Sequence, residues 1–438
     1  MTERKRAAVC WLGSYLLLVL APLLVLLLVP VPARGGFWYE TAIACGFLAL
    51  AMLVMQFFLT ARLRRVSAPF GIDVLYSFHR YFAWGLCLVV LLHPLLLQPQ
   101  GGLAWHRLGH DLVLQSGLLS LLLLVSVMLM SVWRRRLHLA YHHWRRLHLL
   151  LSVGVLALAF LHVKEVSYYG ALPILSALLW TMLLASLALI VHVHLLRPAR
   201  LLRRPWRVRE VRAEQGDCWT LSLDPEGHDG LQFRPGQFAW LSLGHSPFSL
   251  QEHPFSLASP PRADGSVEFT IKAVGDFTRT LGETPLGARA WVDGPFGVFS
   301  CDHYPDASGY VFIGGGIGIA PLFSMLQALA ARGDQRPHAL FAAHSRFDRI
   351  PRREELVALT RQLRLLTVPV LEEPPELWRG ETGWLTLPML ERYLVEPDYL
   401  QHEFFLCGPK PMTDLAEACL RILGVPAAHI HTELFSMA

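Results

Sequence analysis

The sequence predicts a multidomain membrane protein: a six-helix transmembrane bundle, then an antiparallel β-barrel, then an α/β domain built on a parallel sheet. Three observations predict it. The chain is 53% hydrophobic and only 17% charged, where a soluble globular domain carries about 25% charged residues. Its long apolar runs all lie before about residue 200. Beyond that point short alternating segments broken by Gly and Pro take over, and from about residue 309 a buried strand, a Gly-rich turn and a helix follow one another. With roughly 150 residues per domain, the 438 residues leave room for about three. The expected domains are 1–204, 205–304 and 305–438.

The apolar runs lie at about 8–30, 38–60, 73–97, 109–132, 147–163 and 171–196. A bilayer core needs about 20 helical residues, and the short fifth run gains length at its start from Tyr141, His142, His143, Trp144, Arg145 and Arg146, which suit the headgroup zone. Pro94 and Pro173 are tolerable within membrane helices. The first run has no small-residue cleavage signature and reads as a permanent span. One set of loops carries Arg4, Lys5, Arg6, Arg62, Arg64, Arg65, Arg134 to Arg136, Arg145, Arg146, Arg197, Arg200, Arg203, Arg204 and Arg207; the opposite set carries only Arg34, Arg107 and Lys164. The positive-inside rule then puts both termini and everything after residue 205 in the cytosol.

The net charge of +5 comes from arginines beside apolar runs, so a membrane explains it and nucleic-acid binding is not expected. The seven cysteines show no CxxC spacing, hence neither a disulfide framework nor a zinc site, and a reducing cytosolic face fits. Without any Asn there is no glycosylation sequon, and four lysines against many arginines suit a GC-rich bacterial genome and an inner-membrane location.

His79 and His93 lie fourteen residues apart in the third run, as do His148 and His162 in the fifth. Fourteen residues is just under four turns, so each pair shares a helix face, about 21 Å apart along the axis. The third and fifth spans run in the same direction. His79 can therefore meet His148 near the cytoplasmic side and His93 can meet His162 near the outer side, as bis-histidine ligands of two stacked haems. The alternative is four polar residues satisfied inside a bundle, although intramembrane ionisable groups are costly and usually functional. His192 or His194 could replace His148 as a ligand, but nothing on that last span then partners His93. Arg80, Arg145 and Arg146 either pair with haem propionates or only anchor helices.

The soluble half carries six tags in order: RPGQF at 234–238, HPFSL at 253–257, GDFT at 275–278, DGPFG at 293–297, GGGIGIAP at 314–321 and CGP at 407–409. With the paired histidines, they make nearly the whole chain resemble the NADPH oxidase and ferric reductase superfamily, a six-helix di-haem membrane domain fused to a ferredoxin-reductase-like module. The resemblance implies FAD held by Arg234, Gln237, His253, Pro254, Phe255 and Ser256, with Phe255 packing on the ring and Ser256 supplying a hydroxyl near the flavin. Lys272, Thr278 and Arg279 are implied along the flavin phosphates. Gly314, Gly316, Gly318 and Pro321 form the reductase version of a pyrophosphate turn, in which glycines admit the backbone and a helix N-terminus favours negative charge. Ser345 and Arg346 after the next strand imply a 2′-phosphate contact, hence NADPH, with NADH possible; Arg352 or Arg353 either helps or sits on a solvated helix start. Cys407, with Gly408 and Pro409, is implied beside the nicotinamide, and Phe435 over the flavin, although Met437 occupies the place of a second aromatic.

The implied activity is that of a flavohaem oxidoreductase passing electrons from cytosolic NADPH through FAD and two b-type haems to an extracytoplasmic acceptor. Dioxygen, giving superoxide, needs only an exposed haem edge and a nearby cation such as Arg107, Arg34 or Lys164. Ferric chelates need a docking surface, for which His106 and His110 are candidates. Electron donation to a partner protein is the third possibility.

Overall fold

The computed structural model describes residues 3–29, 32–63, 70–97, 111–166, 168–394 and 399–433. Two compact units emerge, Met1–Pro198 and Ala199–Ala438.

The first unit is helical: α1 (Glu3–Leu28), α2 (Phe37–Thr60), α3 (Ile72–Leu97), α4 (Leu112–Val132), α5 (Tyr141–Val166) and α6 (Pro173–Val191), which continues through a π turn at His192–Leu196 into a short helix at Arg197–Leu202. All six are long and apolar enough to cross a membrane. The polar segment from Tyr141 is helical and belongs to α5, whereas Pro173 sits at the first turn of α6, where its missing N–H costs nothing. Pro94 lies inside α3.

α2 is the central helix. Ala49 through Gln56 are buried without interruption, because α1, α3 and α6 pack around it. The other helices turn Leu27, Leu95, Leu122, Leu150 and Leu184 outward, the surface expected against lipid rather than water. The two most extensive helix contacts are between α2 and α3 and between α4 and α5, so the unit is built on two antiparallel hairpins. Before α2, the Glu40 carboxylate accepts hydrogen bonds from the backbone N–H groups of Arg34 and Gly35 and from the Tyr169 hydroxyl, at 2.8, 3.0 and 2.7 Å. This ties the chain entering α2 to the turn that follows α5.

The second unit has two sheets. β1 (Trp206–Glu214), β2 (Cys218–Pro225), β3 (Phe238–Leu243), β4 (His253–Ser256), β5 (Val267–Lys272) and β6 (Arg289–Phe296) form an antiparallel sheet in the order β4-β3-β6-β1-β2-β5. A bridge between Leu257 and Phe269 joins its two ends and curls it into a barrel around Trp206, Leu221, Leu241, Phe269 and Val292. A short helix, α7 (Asp276–Arg279), follows β5.

The second sheet is parallel. Its strands β7 (Tyr310–Gly315), β8 (His338–His344), β9 (Leu365–Leu371), β10 (Glu381–Thr382), β11 (Glu403–Cys407) and β12 (Ile430–Glu433) lie in the order β10-β9-β8-β7-β11-β12. The helices α8 (Ile319–Ala331), α9 (Arg353–Gln362), α10 (Leu387–Leu394) and α11 (Lys410–Ile422) cover it. Along β7, Phe312 enters one core while Val311 and Ile313 enter the other, which is why the strand reads as one apolar run. After β7 the chain builds first to one side and then to the other. The order reverses between β7 and β11, and a doubly wound sheet opens its ligand crevice beyond the carboxyl ends of such strands.

Arg352 joins barrel and parallel sheet. It is buried, and its guanidinium donates to the Ala258 carbonyl at 2.9 Å, to Glu268 at 3.0 Å and to Glu355 at 3.0 Å. Its backbone N–H donates to Glu214 at 3.2 Å. Burial alone would raise the Glu268 carboxyl, but Arg352 and Arg262 hold it below the ordinary carboxylate range. The expectation of a nucleotide contact or a solvated helix start is therefore corrected for Arg352: its donors are committed to carboxylates of both lobes. Arg352→Ala is expected to lower the stability of this unit by about 3–5 kcal/mol, because buried carboxylates lose their counter-charge. Urea unfolding of the full chain measures it; a loss under about 1 kcal/mol would show that the pairing is dispensable.

Candidate functional site

The two hairpins bring the four membrane histidines together in pairs. The ring centroids of His79 and His148 are 6.3 Å apart, and those of His93 and His162 6.1 Å apart. Two metal–imidazole bonds of about 2 Å plus two ring radii of roughly 1 Å span about 6 Å, so each gap has the width of one bis-ligated metal ion. The π-turn residues His192 and His194 do not take the place of His148 opposite His79.

The outer nitrogens decide which ring atom faces the gap. His93 Nδ1 lies 2.6 Å from the Ala42 carbonyl and His162 Nδ1 2.9 Å from the Val113 carbonyl. A carbonyl only accepts, so each Nδ1 must carry the hydrogen, and the neutral ring is left with its lone pair on Nε2. His148 Nδ1 lies 3.1 Å from Ser131 Oγ, whose own hydrogen goes to the Val127 carbonyl at 2.7 Å, so the same tautomer follows. Fourteen residues separate Ala42 from Gln56 as they separate His79 from His93, and the antiparallel register that sets His93 against Ala42 sets His79 against Gln56. Among the described residues no group of three or more His, Cys, Asp or Glu gathers around a common point. A metal ion at either pair would take two protein ligands and bring the rest of its coordination with it, as a planar macrocycle does.

Around the His79 pair stand two polar groups that the sequence reading gave only to a headgroup segment and a loop, Trp144 and Arg62. Trp144 packs on His148 with centroids 5.3 Å apart, and its buried indole N–H has no partner among the described residues. Arg62 is buried at the end of α2, its Nε donating to the Tyr76 hydroxyl at 2.8 Å. Helical spacing from His148 points to Trp144; nothing in the sequence marks Arg62 as buried. Of the arginines expected beside the inner ligands, Arg80 is exposed with its guanidinium over Tyr81, Arg145 is half-buried and Arg146 exposed.

On the barrel, β4 presents a ring surface. His253 stacks on Phe277 at 4.3 Å and 14°, and Phe255 lies 6.1 Å from the same ring at 20°. Phe277 comes from α7 and was not singled out from the sequence. Pro254 and Ser256 share this strand, and the buried Ser256 hydroxyl has no partner among the described residues. A planar ring ligand needs such apolar faces and one or two placed polar atoms. Lys272 ends β5 nearby, close enough to influence His344 at the end of β8. His344 is a further residue that sequence reasoning passed over. It is buried, its Nε2 has no partner among the described residues, and burial followed by the Lys272 charge lowers its pKa to about 4.

Three further residues expected at the flavin, Gln237, Arg234 and Thr278, have these surroundings. Gln237 accepts from the Arg234 backbone N–H at 2.8 Å and donates to the Gly297 carbonyl at 2.9 Å, bracing a turn. The Arg234 side chain is exposed and borders a pocket with Arg332 and Arg336. Gly236, between them, donates to Ser324 of α8 at 3.2 Å, so this tag forms a joint between barrel and parallel sheet. Thr278 Oγ1 accepts from the N–H groups of Val274 and Gly275 and donates to the Gly275 carbonyl, which uses its only hydrogen to shape the loop.

At the reversal point the remaining residues converge. A Cβ on Gly318 would run into the Cys407 carbonyl, and one on Gly408 would lie 3.0 Å from Gly315 Cα, so the turns after β7 and β11 pass backbone against backbone. Gly314 ends in register with Cys407, Gly316 adopts φ +54°, and Pro321 is buried in the first turn of α8, whose start has no side-chain cap. Uncapped N–H groups at a helix start favour an anion. Cys407 is fully buried, and burial pushes its thiol well above the ordinary range. It is thus a neutral wall rather than a thiolate. Strand register also brings Glu433 beside Cys407. Ser345 and Arg346 follow β8, one strand away, where Arg346 Nε pairs with Asp348 at 3.1 Å and Arg353 lies over Phe347 at 4.8 Å. Phe435, Met437, His106, Arg107 and His110 lie outside the described residues.

Gly318→Ala is expected to raise the dissociation constant for NAD(P)H at least about tenfold, because the two turns must separate. Fluorescence titration of the full chain tests it; unchanged binding would place the nucleotide elsewhere.

Comparison with known proteins agrees with this division. Residues 45–159 match a ferric reductase like transmembrane component, residues 206–300 an FAD-binding domain and residues 312–418 an oxidoreductase NAD-binding domain. The propane 2-monooxygenase reductase component of Rhodococcus jostii is 33% identical over 52% of this chain and 63% of its own length. The glycine betaine monooxygenase reductase subunit of Chromohalobacter salexigens is 31% identical over 46% and 56%. The chain thus spans less than two thirds of the length of these relatives. In overall fold it is similar to a flavohemoglobin from Malassezia yamatoensis, with a TM-score of 0.51 and 17% identity over 91% of this chain and 97% of that one. A ferric-reductase-like membrane component followed by FAD- and NAD-binding domains makes this chain an integral membrane oxidoreductase with the architecture of the NADPH oxidase and ferric reductase superfamily.

Proposed function

We propose that the chain carries electrons from cytosolic NADPH, through FAD and two b-type haems, to dioxygen on the opposite side of the membrane, giving superoxide. The observation that carries this reading is the pair of facing imidazoles at each end of the bundle, 6.3 and 6.1 Å apart, with the Nε2 lone pair left free on His93, His148 and His162. His79 with His148 would hold one haem and His93 with His162 the other. Trp144 and the buried Arg62 supply donors suited to propionates at the His79 end. When bound, the flavin takes electrons in pairs and the haems pass them singly.

The protein's own contribution is placement. His253, Phe255 and Phe277 offer faces for the isoalloxazine, Ser256 a hydroxyl at its edge, and Lys272 a positive charge toward its phosphates. The turn from Gly314 to Gly318 and the start of α8 receive the nucleotide pyrophosphate, while Cys407, Gly408 and Pro409 form the wall for the nicotinamide. Arg346 is the group for a 2′-phosphate, which would have to take it from Asp348. The loop charges favour a cytosolic side for both termini, and the exposed Arg34, over Tyr168 at 4.2 Å, lies near the α2 start whose Ala42 holds His93, a cation suited to the acceptor end.

A second reading has its own support: the relatives named above are reductase components of monooxygenases. On that reading the electrons go to a partner protein. Ferric-chelate reduction is the third reading. The purified chain is expected to show a b-type haem spectrum with two haems, of which His93→Ala and His79→Ala each lose about one; retention of both haems in His93→Ala would refute the ligand assignment. With NADPH, cytochrome c reduction that superoxide dismutase abolishes would support dioxygen as the acceptor, and its absence would favour the partner or ferric readings.

A further inference from the structure

Gly46 of α2 and Gly117 of α4 have helical backbones, not the positive φ that would require glycine. Glycine inside a helix is about 1 kcal/mol worse than alanine, so something else must favour it at both places. A Cβ on Gly46 would lie 3.2 Å from both Nδ1 and Cε1 of His93, and one on Gly117 would lie 2.9 Å from the same atoms of His162. Each glycine stands four residues, one turn, beyond the carbonyl its histidine uses: Gly46 after Ala42, Gly117 after Val113. Helical side chains lean toward the N-terminus, over the preceding turn. A side chain at either position would therefore occupy the space in which the imidazole rests. The other helical glycines of these hairpins face no imidazole: Gly85 would meet Met52 Cε at an ordinary 3.5 Å, and Gly154, at 3.1 Å, the methyl end of the flexible Leu123 side chain.

We propose that Gly46 and Gly117 are positioning residues for the outer haem ligands. They let His93 and His162 lie against the facing helix so that each Nδ1–H reaches a backbone carbonyl, which fixes the tautomer and makes Nε2 a stronger electron donor. The inference rests on the bis-histidine reading above. Four residues beyond the facing Gln56 and Val127 the inner pair has Thr60 and Ser131 instead of glycine, and the Ser131 hydroxyl stands between His148 and the Val127 carbonyl. The two glycines should therefore set the reduction potential of the outer haem separately from that of the inner one.

Redox titration of the full-length protein, followed by the haem absorbance of wild type, Gly46→Ala, Gly117→Ala and Gly85→Ala, tests this. In Gly117→Ala one of the two midpoints should rise by about 59 mV or more, a tenfold change in the oxidised-to-reduced ratio for one electron. Gly46→Ala, with the wider gap, should shift the same midpoint less, and Gly85→Ala should shift neither. Loss of one haem in Gly117→Ala with the other retained would also support the proposal. Two unchanged midpoints in Gly117→Ala, or an equal shift in Gly85→Ala, would overturn it. A wild type without haem would instead overturn the reading on which it rests.

Discussion

The membrane unit depends on where the Nδ1 hydrogens of its histidines go. An imidazole inside an apolar bundle must find a partner for each nitrogen, since an unpaired polar group there costs several kcal/mol. For His93 and His162 one nitrogen is satisfied by a carbonyl of the facing helix and for His148 by a serine hydroxyl that passes its hydrogen on to a carbonyl. The α-helix normally uses its carbonyls internally, so these contacts need the helices of each hairpin to approach closely. That constraint selects glycine at 46 and 117, and it aims the remaining lone pairs at one another across the bundle. The facing of the imidazoles thus follows from hydrogen-bond satisfaction alone.

In the second unit the corresponding constraint is a fixed relation between two lobes. The ring faces of His253, Phe255 and Phe277 belong to the barrel, whereas the glycine turns and Cys407 belong to the parallel sheet. Transfer between a flavin and a nicotinamide held on different lobes requires them within contact distance. Arg352, reaching Glu268 of the barrel and Glu355 of α9, and Gly236, reaching Ser324, hold the lobes together. Burial keeps the Cys407 thiol neutral beside the glycine turns, where the proposed reading puts hydride transfer.

The parts of this architecture written in periodic pattern or in covalent spacing were legible in the sequence. The apolar runs mark the six helices because length and hydropathy are local properties, and the repeated fourteen-residue interval shows which histidines share a face. Strands such as β3 and β7 were visible for the same reason. What could not be read depends on pairing across space. The two hairpins seat His93 and His162 in the same way, and the likeness lies in helix register and not in residue identity. Within the RPGQF tag, the sequence does not show that Gln237 braces the turn from inside the barrel or that Gly236 joins it to Ser324 of α8. For Arg352 the sequence leaves a nucleotide contact and a solvated helix start open, and only the carboxylates of Glu268 and Glu355, brought up by the fold, decide against both. Phe277 and Trp144 gain meaning only beside His253 and His148.

On the proposed reading electron flow is vectorial: NADPH would be oxidised on the cytosolic side and the electron would emerge on the other, near Arg34 and the His93 pair. Proteoliposomes with cytochrome c trapped inside and NADPH added outside test it most directly. Protein inserted with its second unit outward should reduce the trapped cytochrome c, and His93→Ala should abolish that reduction while NADPH oxidation by a soluble flavin acceptor added outside continues. Reduction confined to acceptors on the NADPH side in the wild type would contradict a path across the membrane.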